Sequence, residues 1–219
     1  MMAVTGLALF GFVIVHMLGN LQIFLPSADG TLRGDAINAY AHKLKSLPGI
    51  LWTFRVGLLV LVVVHVATAI RLSIENKKAR GAVGYDKPAA AGASYASRTM
   101  IWSGLILLSF IIYHLLHFTV GAVNPDYLEY RTADGDHNVY KMVVVGFKNP
   151  LVSGFYIVSM GLLCMHLSHG VKSMLQSVGF TRARWERPID TVAKTAAWII
   201  FVGNSSIPLA VLLGLLSTQ

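Results

Sequence analysis

Four histidines stand where a histidine is costly. His16, His65, His114 and His166 each fall inside a long apolar run, and an ionisable side chain at membrane depth is expensive enough that its default reading is functional. Two imidazoles that face each other at one depth between helices supply what a low-spin b-type haem needs, an axial nitrogen on each side of the iron with no position open to oxygen. One such histidine alone could equally hydrogen-bond across helices. A zinc site or a proton path would add carboxylates, and the centres of these runs hold none.

The runs that must position the histidines cover approximately residues 3–25, 48–73, 100–123, 150–175 and 191–216. Each reaches the roughly 20 residues that a spanning helix requires. An open strand is not tolerated in hydrocarbon, so the expected fold is all-α, a single bundle of five transmembrane helices. Turn and cap residues punctuate the ends: Pro26, Pro48, Asn124 with Pro125, and Asn149 with Pro150. The composition agrees. The 219 residues are 55% hydrophobic and 13% charged, with a mean hydropathy of +0.62, against about a quarter charged in soluble domains. The net charge of +8 lies in the connections rather than on one soluble face, which argues against a nucleic-acid partner. The single cysteine, Cys164, excludes an internal disulfide and a covalent haem attachment motif. The N-terminus lacks a basic region and a cleavage site, and reads as a retained first span.

Orientation follows from the basic residues. The second and fourth connections carry eleven Lys and Arg against six in the first and third, so the former face the cytoplasm and the N-terminus lies inside. Counted from the start of each run, His16 lies 13 residues in, His65 17, His114 14 and His166 16. At about 1.5 Å per residue all four sit roughly 20–26 Å past their entry point in a core about 30 Å thick. Alternate spans run in opposite directions, so the histidines sort into two layers. His16 and His114 share an outer level, and His65 and His166 an inner one. Two haems stacked across the bilayer follow, with irons roughly 15 Å apart.

Other residues take supporting roles. His117 and His169 each follow a proposed ligand at i+3, and either could replace its neighbour; His169 could also meet a haem propionate or a quinone near the inner face. Arg71 and Lys172 reach the cytoplasmic boundary, where propionates or lipid phosphates need a cation, although snorkelling basic residues belong there too. Arg55 lies within the outer end of the second span among Trp52, Phe54 and Val56, where a guanidinium is expected to pair with a propionate, a quinone carbonyl or a backbone carbonyl. His42 and His137 fall in outer connections and read as solvated. Gly6, Gly11, Gly57, Gly104 and Gly161 could admit a porphyrin or simply close helix contacts. The first connection has Ala36, Ala39, Tyr40 and Leu44 at helical spacing, and residues 140–147 alternate as a short strand would. Residues 81–96 are rich in Ala and Gly and read as irregular. Asn204, Ser205, Ser206 and Pro208 read as a kink in the fifth span.

The stretches HMLGNLQIF from His16, AINAYAHKLKSLP from Ala36, His65 with the ENKKARG that follows it, GLILLSFIIYH ending at His114 and GFYIVSMGLLCMHLSHG around His166 resemble the five-helix dihaem cytochrome b subunit of succinate dehydrogenase and fumarate reductase over nearly the whole chain. The resemblance implies that His65 and His166 ligate the haem nearer the cytoplasm and His16 and His114 the distal one. It implies partner chains, a flavoprotein with covalent FAD and an iron-sulfur protein, which do the dicarboxylate chemistry, so that this chain holds no catalytic residue of its own. It further implies a quinone substrate, usually menaquinone, a place in a bacterial cytoplasmic membrane, and a polar leader upstream of residue 1. Quinone is expected near the outer ends of spans one and two, with Arg55 stabilising its developing charge and Asp35 or another loop carboxylate exchanging protons. The alternative has Arg55 clamping a distal propionate and quinone bound at the cytoplasmic face against His169. Other readings are a fumarate reductase anchor working in reverse, a dihaem anchor of another quinone-linked dehydrogenase, and a haem-free anchor or transporter.

Overall fold

A computed structural model describes residues 1–27, 30, 34–80, 99–180 and 182–218. Five helices are long and apolar enough to cross a membrane, and no strand forms among the described residues. They are α1 (Met2–Leu21), α3 (Pro48–Arg80), α4 (Met100–His114), α6 (Pro150–Ser177) and α7 (Ala183–Leu212). Two shorter helices, α2 (Asp35–Lys45) and α5 (Val139–Phe147), belong to the first and third connections.

The starts of these helices are written locally. Asn149 accepts from the Leu151 N–H at 2.9 Å and Pro150 takes the first helical position, where its missing N–H costs nothing. Asn138 caps α5 in the same way, accepting from Lys141 N–H at 2.8 Å. This cap decides against the strand expected at 140–147. The buried residues Tyr140, Val144 and Phe147 recur at i, i+4 and i+7, and Met142, buried on another face, supplied the misleading alternation. The tight turn lies earlier, where an isolated bridge joins Arg131 to His137. The first connection does form the helix its periodicity predicts.

The span boundaries move in physically readable ways. The third span leaves α geometry after His114, continues as a π-helix over Leu115–Thr119 and ends before Gly121, whose φ of 73° suits glycine. The second span runs on to Arg80. The fifth begins at Ala183, passes through Pro208 and has the Asn204 amide donating to the Ile200 carbonyl at 2.9 Å. The segment 81–96 lies outside the described residues.

Packing is uneven. The α6–α7 pair is the most extensive; α1 lies against α3, α6 and α7, and α4 against α6. Met17 of α1 approaches α7 so closely that a Cβ on Gly203 would meet its Sδ at 2.5 Å. Helix α3 touches α1 and, more sparsely, α2 and α4, and no residue of it from 48 to 79 is fully buried. At one end of the bundle, α2, α5 and the C-terminal residues form a cap. The Asn38 Oδ1 accepts from Tyr140 N–H at 3.0 Å, and the Tyr140 hydroxyl donates to Ser217 O at 3.3 Å. This capped end is the one read above as outer; the other is the open end.

Candidate cofactor site: two layers of paired imidazoles

Toward the open end, His65 of α3 and His166 of α6 are half-buried. Each is held by a hydroxyl from a neighbouring helix. Thr5 Oγ1 of α1 lies 3.0 Å from His65 Nδ1, and Ser103 Oγ of α4 lies 3.2 Å from His166 Nδ1. A hydroxyl has one proton to give. Thr5 donates it to the carbonyls of Met1 and Met2, at 3.2 and 3.1 Å, and Ser103 to that of Met100 at 3.0 Å. With that proton on the carbonyl, each oxygen is free to accept from an Nδ1–H, and in that tautomer Nε2 carries a bare lone pair. That is the tautomer in which a histidine binds a metal through Nε2 while its other nitrogen is anchored.

Toward the capped end, His16 of α1 and His114 of α4 have ring centroids 5.9 Å apart and meet edge to face. Phe12 stacks on His16 at 5.3 Å and Phe110 on His114 at 5.9 Å. His114 Nδ1 lies 3.4 Å from the Tyr156 hydroxyl, which again leaves Nε2 without a hydrogen-bond partner among the described residues. His16 differs, because its Nε2 lies 3.1 Å from the Asn20 amide. A metal there would displace Asn20. His16 and His114 thus meet ring to ring, and His65 and His166 lie toward the other end, each against a hydroxyl of a neighbouring helix.

The neighbouring histidines are otherwise engaged. His117 is only 2% exposed, with Nδ1 3.0 Å from Tyr156 Oη and Nε2 3.4 Å from Tyr127 Oη. Both of its nitrogens are used, so it does not stand in for His114. His169 Nε2 lies 3.1 Å from Ser173 Oγ, one turn along its own helix. Among the described residues no group of three or more His, Cys, Asp and Glu side chains could hold a metal ion. A bis-imidazole haem asks for only two.

The expected cations sit elsewhere than inside the bundle. Arg55 is exposed, with its guanidinium 5.2 Å from the centre of the Trp52 ring, and so is not the buried cation the sequence suggested; residues 52–57, more than a full turn, are all exposed, so α3 is uncovered on every face there. Arg71 pairs with Glu75 at 2.7 Å on the exposed surface of α3. Lys172 is partly buried between α6 and α7, 3.6 Å from Glu186 and 3.7 Å from Asp190. The glycines are permissive rather than tight. A Cβ on Gly6 would lie 3.6 Å from His65 Cε1 and one on Gly104 3.4 Å from His166 Cε1, while Gly11 and Gly57 would meet nothing within 4 Å.

At the cap, His42 pairs with Asp136 at 2.8 Å beside Lys45, Ser46 and His137, which together line a cavity of about 230 Å³. Burial, then Arg55 and Arg131, hold the Lys45 ammonium below its ordinary range against the pull of Asp136. Burial, then Lys45 and Arg131, hold His137 low as well. His42 is exposed, as its place in an outer connection suggests, though paired with Asp136, and His137 is half-buried rather than simply solvated.

Thr5, Ser103, Tyr156 and Asn20 are the site residues that sequence reasoning missed. One signal would have found the first two. TGLALFGFVIVHMLGN (5–20) and SGLILLSFIIYHLLHF (103–118) align without a gap, identical at Gly6/Gly104, Leu7/Leu105, Leu9/Leu107, Phe12/Phe110, Ile14/Ile112, His16/His114 and Leu18/Leu116. Such self-similarity marks a repeated structural unit. The partner helices follow, with Arg71 six residues after His65 and Lys172 six after His166. Each repeat contributes one imidazole to each layer. Compared with protein-family models, curated proteins and solved structures, the chain matches none.

Proposed function

We propose that this chain is the dihaem cytochrome b anchor of a succinate:quinone oxidoreductase. The single observation that carries the haem reading is the matched anchoring of the inner histidines, in which a hydroxyl that also bonds its own helix's carbonyl lies against Nδ1 of His65 and of His166 and leaves each Nε2 open to a metal. His65 and His166 would hold one b haem, and His16 and His114 the other. Such a haem, with both axial positions taken, supplies one-electron transfer without oxygen chemistry. The chain's own part is to fix the rings of His65, His166 and His114, through Thr5, Ser103 and Tyr156, and to keep water away from all four with the apolar faces of the spans.

The chain has no flavin or dicarboxylate machinery recognisable in its sequence, so succinate oxidation is assigned to a flavoprotein and an iron-sulfur partner on the cytoplasmic side of a bacterial membrane, with the N-terminus on that side. The support is the resemblance of the histidine-bearing stretches together with the basic ends of α3, α6 and α7. Quinone, read as menaquinone, is assigned to the capped side, where Arg55 and Lys45 supply positive charge for a carbonyl gaining electrons. Deleting the chain from its host tests this directly. Membranes should lose succinate-dependent quinone reduction while the detached dehydrogenase still reduces a soluble dye; unaltered quinone reduction rejects the assignment. Arg55→Gln should keep both haems and dye reduction and lower quinone reduction, and unchanged quinone kinetics would move the quinone site elsewhere.

A further inference from the structure

His114 meets a hydroxyl of a different kind from those that hold His65 and His166. Tyr156 is buried, and its hydroxyl has two partners among the described residues, the Nδ1 of His114 at 3.4 Å and the Nδ1 of His117 at 3.0 Å. His117 in turn reaches the Tyr127 hydroxyl through Nε2 at 3.4 Å, and Tyr127 belongs to the third connection at the capped end. The result is a buried string of four groups, His114, Tyr156, His117 and Tyr127.

Donor counting gives this string only two arrangements. Tyr156 has one hydrogen and faces two Nδ1 atoms, so when that hydrogen is bonded within the string one ring accepts it and the other donates its own Nδ1 hydrogen to the oxygen. With Nε2 of His114 engaged by a metal, its hydrogen must lie on Nδ1 and point at the tyrosine oxygen. Tyr156 then donates to His117 Nδ1, and His117 donates from Nε2 to Tyr127. All the donors point toward the cap.

We propose that Tyr156 and His117 are positioning residues of the outer pair, which hold His114 in its Nδ1–H form and orient it through this one-way string. The inference rests on the haem reading above for its consequence, though not for the string itself. An acceptor at Nδ1 raises the basicity of a ligating imidazole, which favours the oxidised metal and lowers the reduction potential of the outer centre.

The repeat sets this device apart. Position for position, the first repeat has Gly19 where the second has His117, and Arg55 stands ten residues before His65 as Tyr156 stands ten before His166. Only one half of the molecule carries the string. The π-helix over Leu115–Thr119 lies under the same residues, and such segments concentrate at functional positions. Phe118 completes the setting, 4.0 Å from the His117 ring centre and also beside His114.

Tyr156→Phe removes the hydroxyl and keeps the ring packed on Phe110 and Phe147. In the purified protein carrying haem, the variant should retain both haems, raise the midpoint potential of the outer one and change its low-spin electron paramagnetic resonance line, with the inner one unmoved. His117→Leu should do the same. His117→Gln, which can still accept from Tyr156 and donate to Tyr127, should stay near the native potential. Identical outer signals in Tyr156→Phe and the native protein, or equal shifts of both haems, would overturn the proposal. Nitrogen-15 histidine magnetic resonance of the haem-free chain separates the two levels of inference. Tyr156→Phe should move the His114 and His117 ring signals there, and unmoved rings overturn the string. A native chain that binds no haem overturns the haem reading alone.

Discussion

Thr5 and Ser103 do opposite jobs with one atom each. The proton closes a bond to the residue's own helix, and the oxygen receives a ring from the next one. A hydroxyl that bonds back to a carbonyl is ordinary in a membrane helix, so neither residue was conspicuous in an isolated reading of its span. The histidines were legible because an ionisable group in an apolar run has no bland purpose that justifies its cost. Outer-shell partners of metal-bound histidines are worth about 10–100-fold in metal affinity. Thr5→Val and Ser103→Ala should each weaken retention of the inner haem within that range, while Thr5→Ser and Ser103→Thr preserve it, as read from the absorption of the purified protein during haem titration. The same spectra assign the pairs. His65→Ala and His166→Ala should remove one band, and His16→Ala and His114→Ala the other; a band lost in both His16→Ala and His65→Ala would break the two-layer assignment.

The elements were legible wherever length and hydropathy decided them, and less so where packing did. All five spans lie where the apolar runs put them, and the first connection forms its helix. The α5 segment misled because Tyr140, Met142 and Val144 are buried on several faces at once, so burial no longer tracks a single periodicity. Gly146 shows how tightly α5 is fitted to the site. A Cβ there would come 2.7 Å from Phe118, and that ring lies against both His114 and His117. Gly146→Ala should cost about 1–3 kcal/mol in stability, as overpacking does, and should disturb the outer haem spectrum while sparing the inner. An unchanged outer spectrum would detach α5 from the site.

The cap also has a predictable response to acid. His137 is held below its ordinary range, first by burial and then by Lys45 and Arg131. A histidine whose folded value is depressed binds its proton more readily when released, so the contribution is full above the unfolded value of about 6.5 and is lost as pH falls through it. Protection factors across residues 137–147, taken against the intrinsic exchange rate at each pH, should therefore fall between about pH 7.5 and 5.5, and His137→Asn should flatten that dependence. Protection factors that hold steady or rise on acidification would contradict this account of His137.

At the scale of the whole molecule, two helix pairs of common pattern face each other, and a fifth helix, α7, braces α6. Each pair gives one imidazole to the open-end layer and one to the capped-end layer, so the layers arise from the alternation of span direction rather than from any local motif. The halves then diverge. Arg55 and Gly19 mark the first, and Tyr156 and His117 the second, all at the capped end. The open end carries charge pairs instead, Arg71 with Glu75 and Lys172 with Glu186 and Asp190, as a surface between membrane and cytoplasmic partners would. The loosely packed α3 stands between these roles, bound mainly to α1 with His65 on its length.

If the two imidazole layers are two haem sites, a pyridine haemochrome assay against protein concentration should give two haem b for each polypeptide in the purified native protein. One haem, or none, would contradict that assignment.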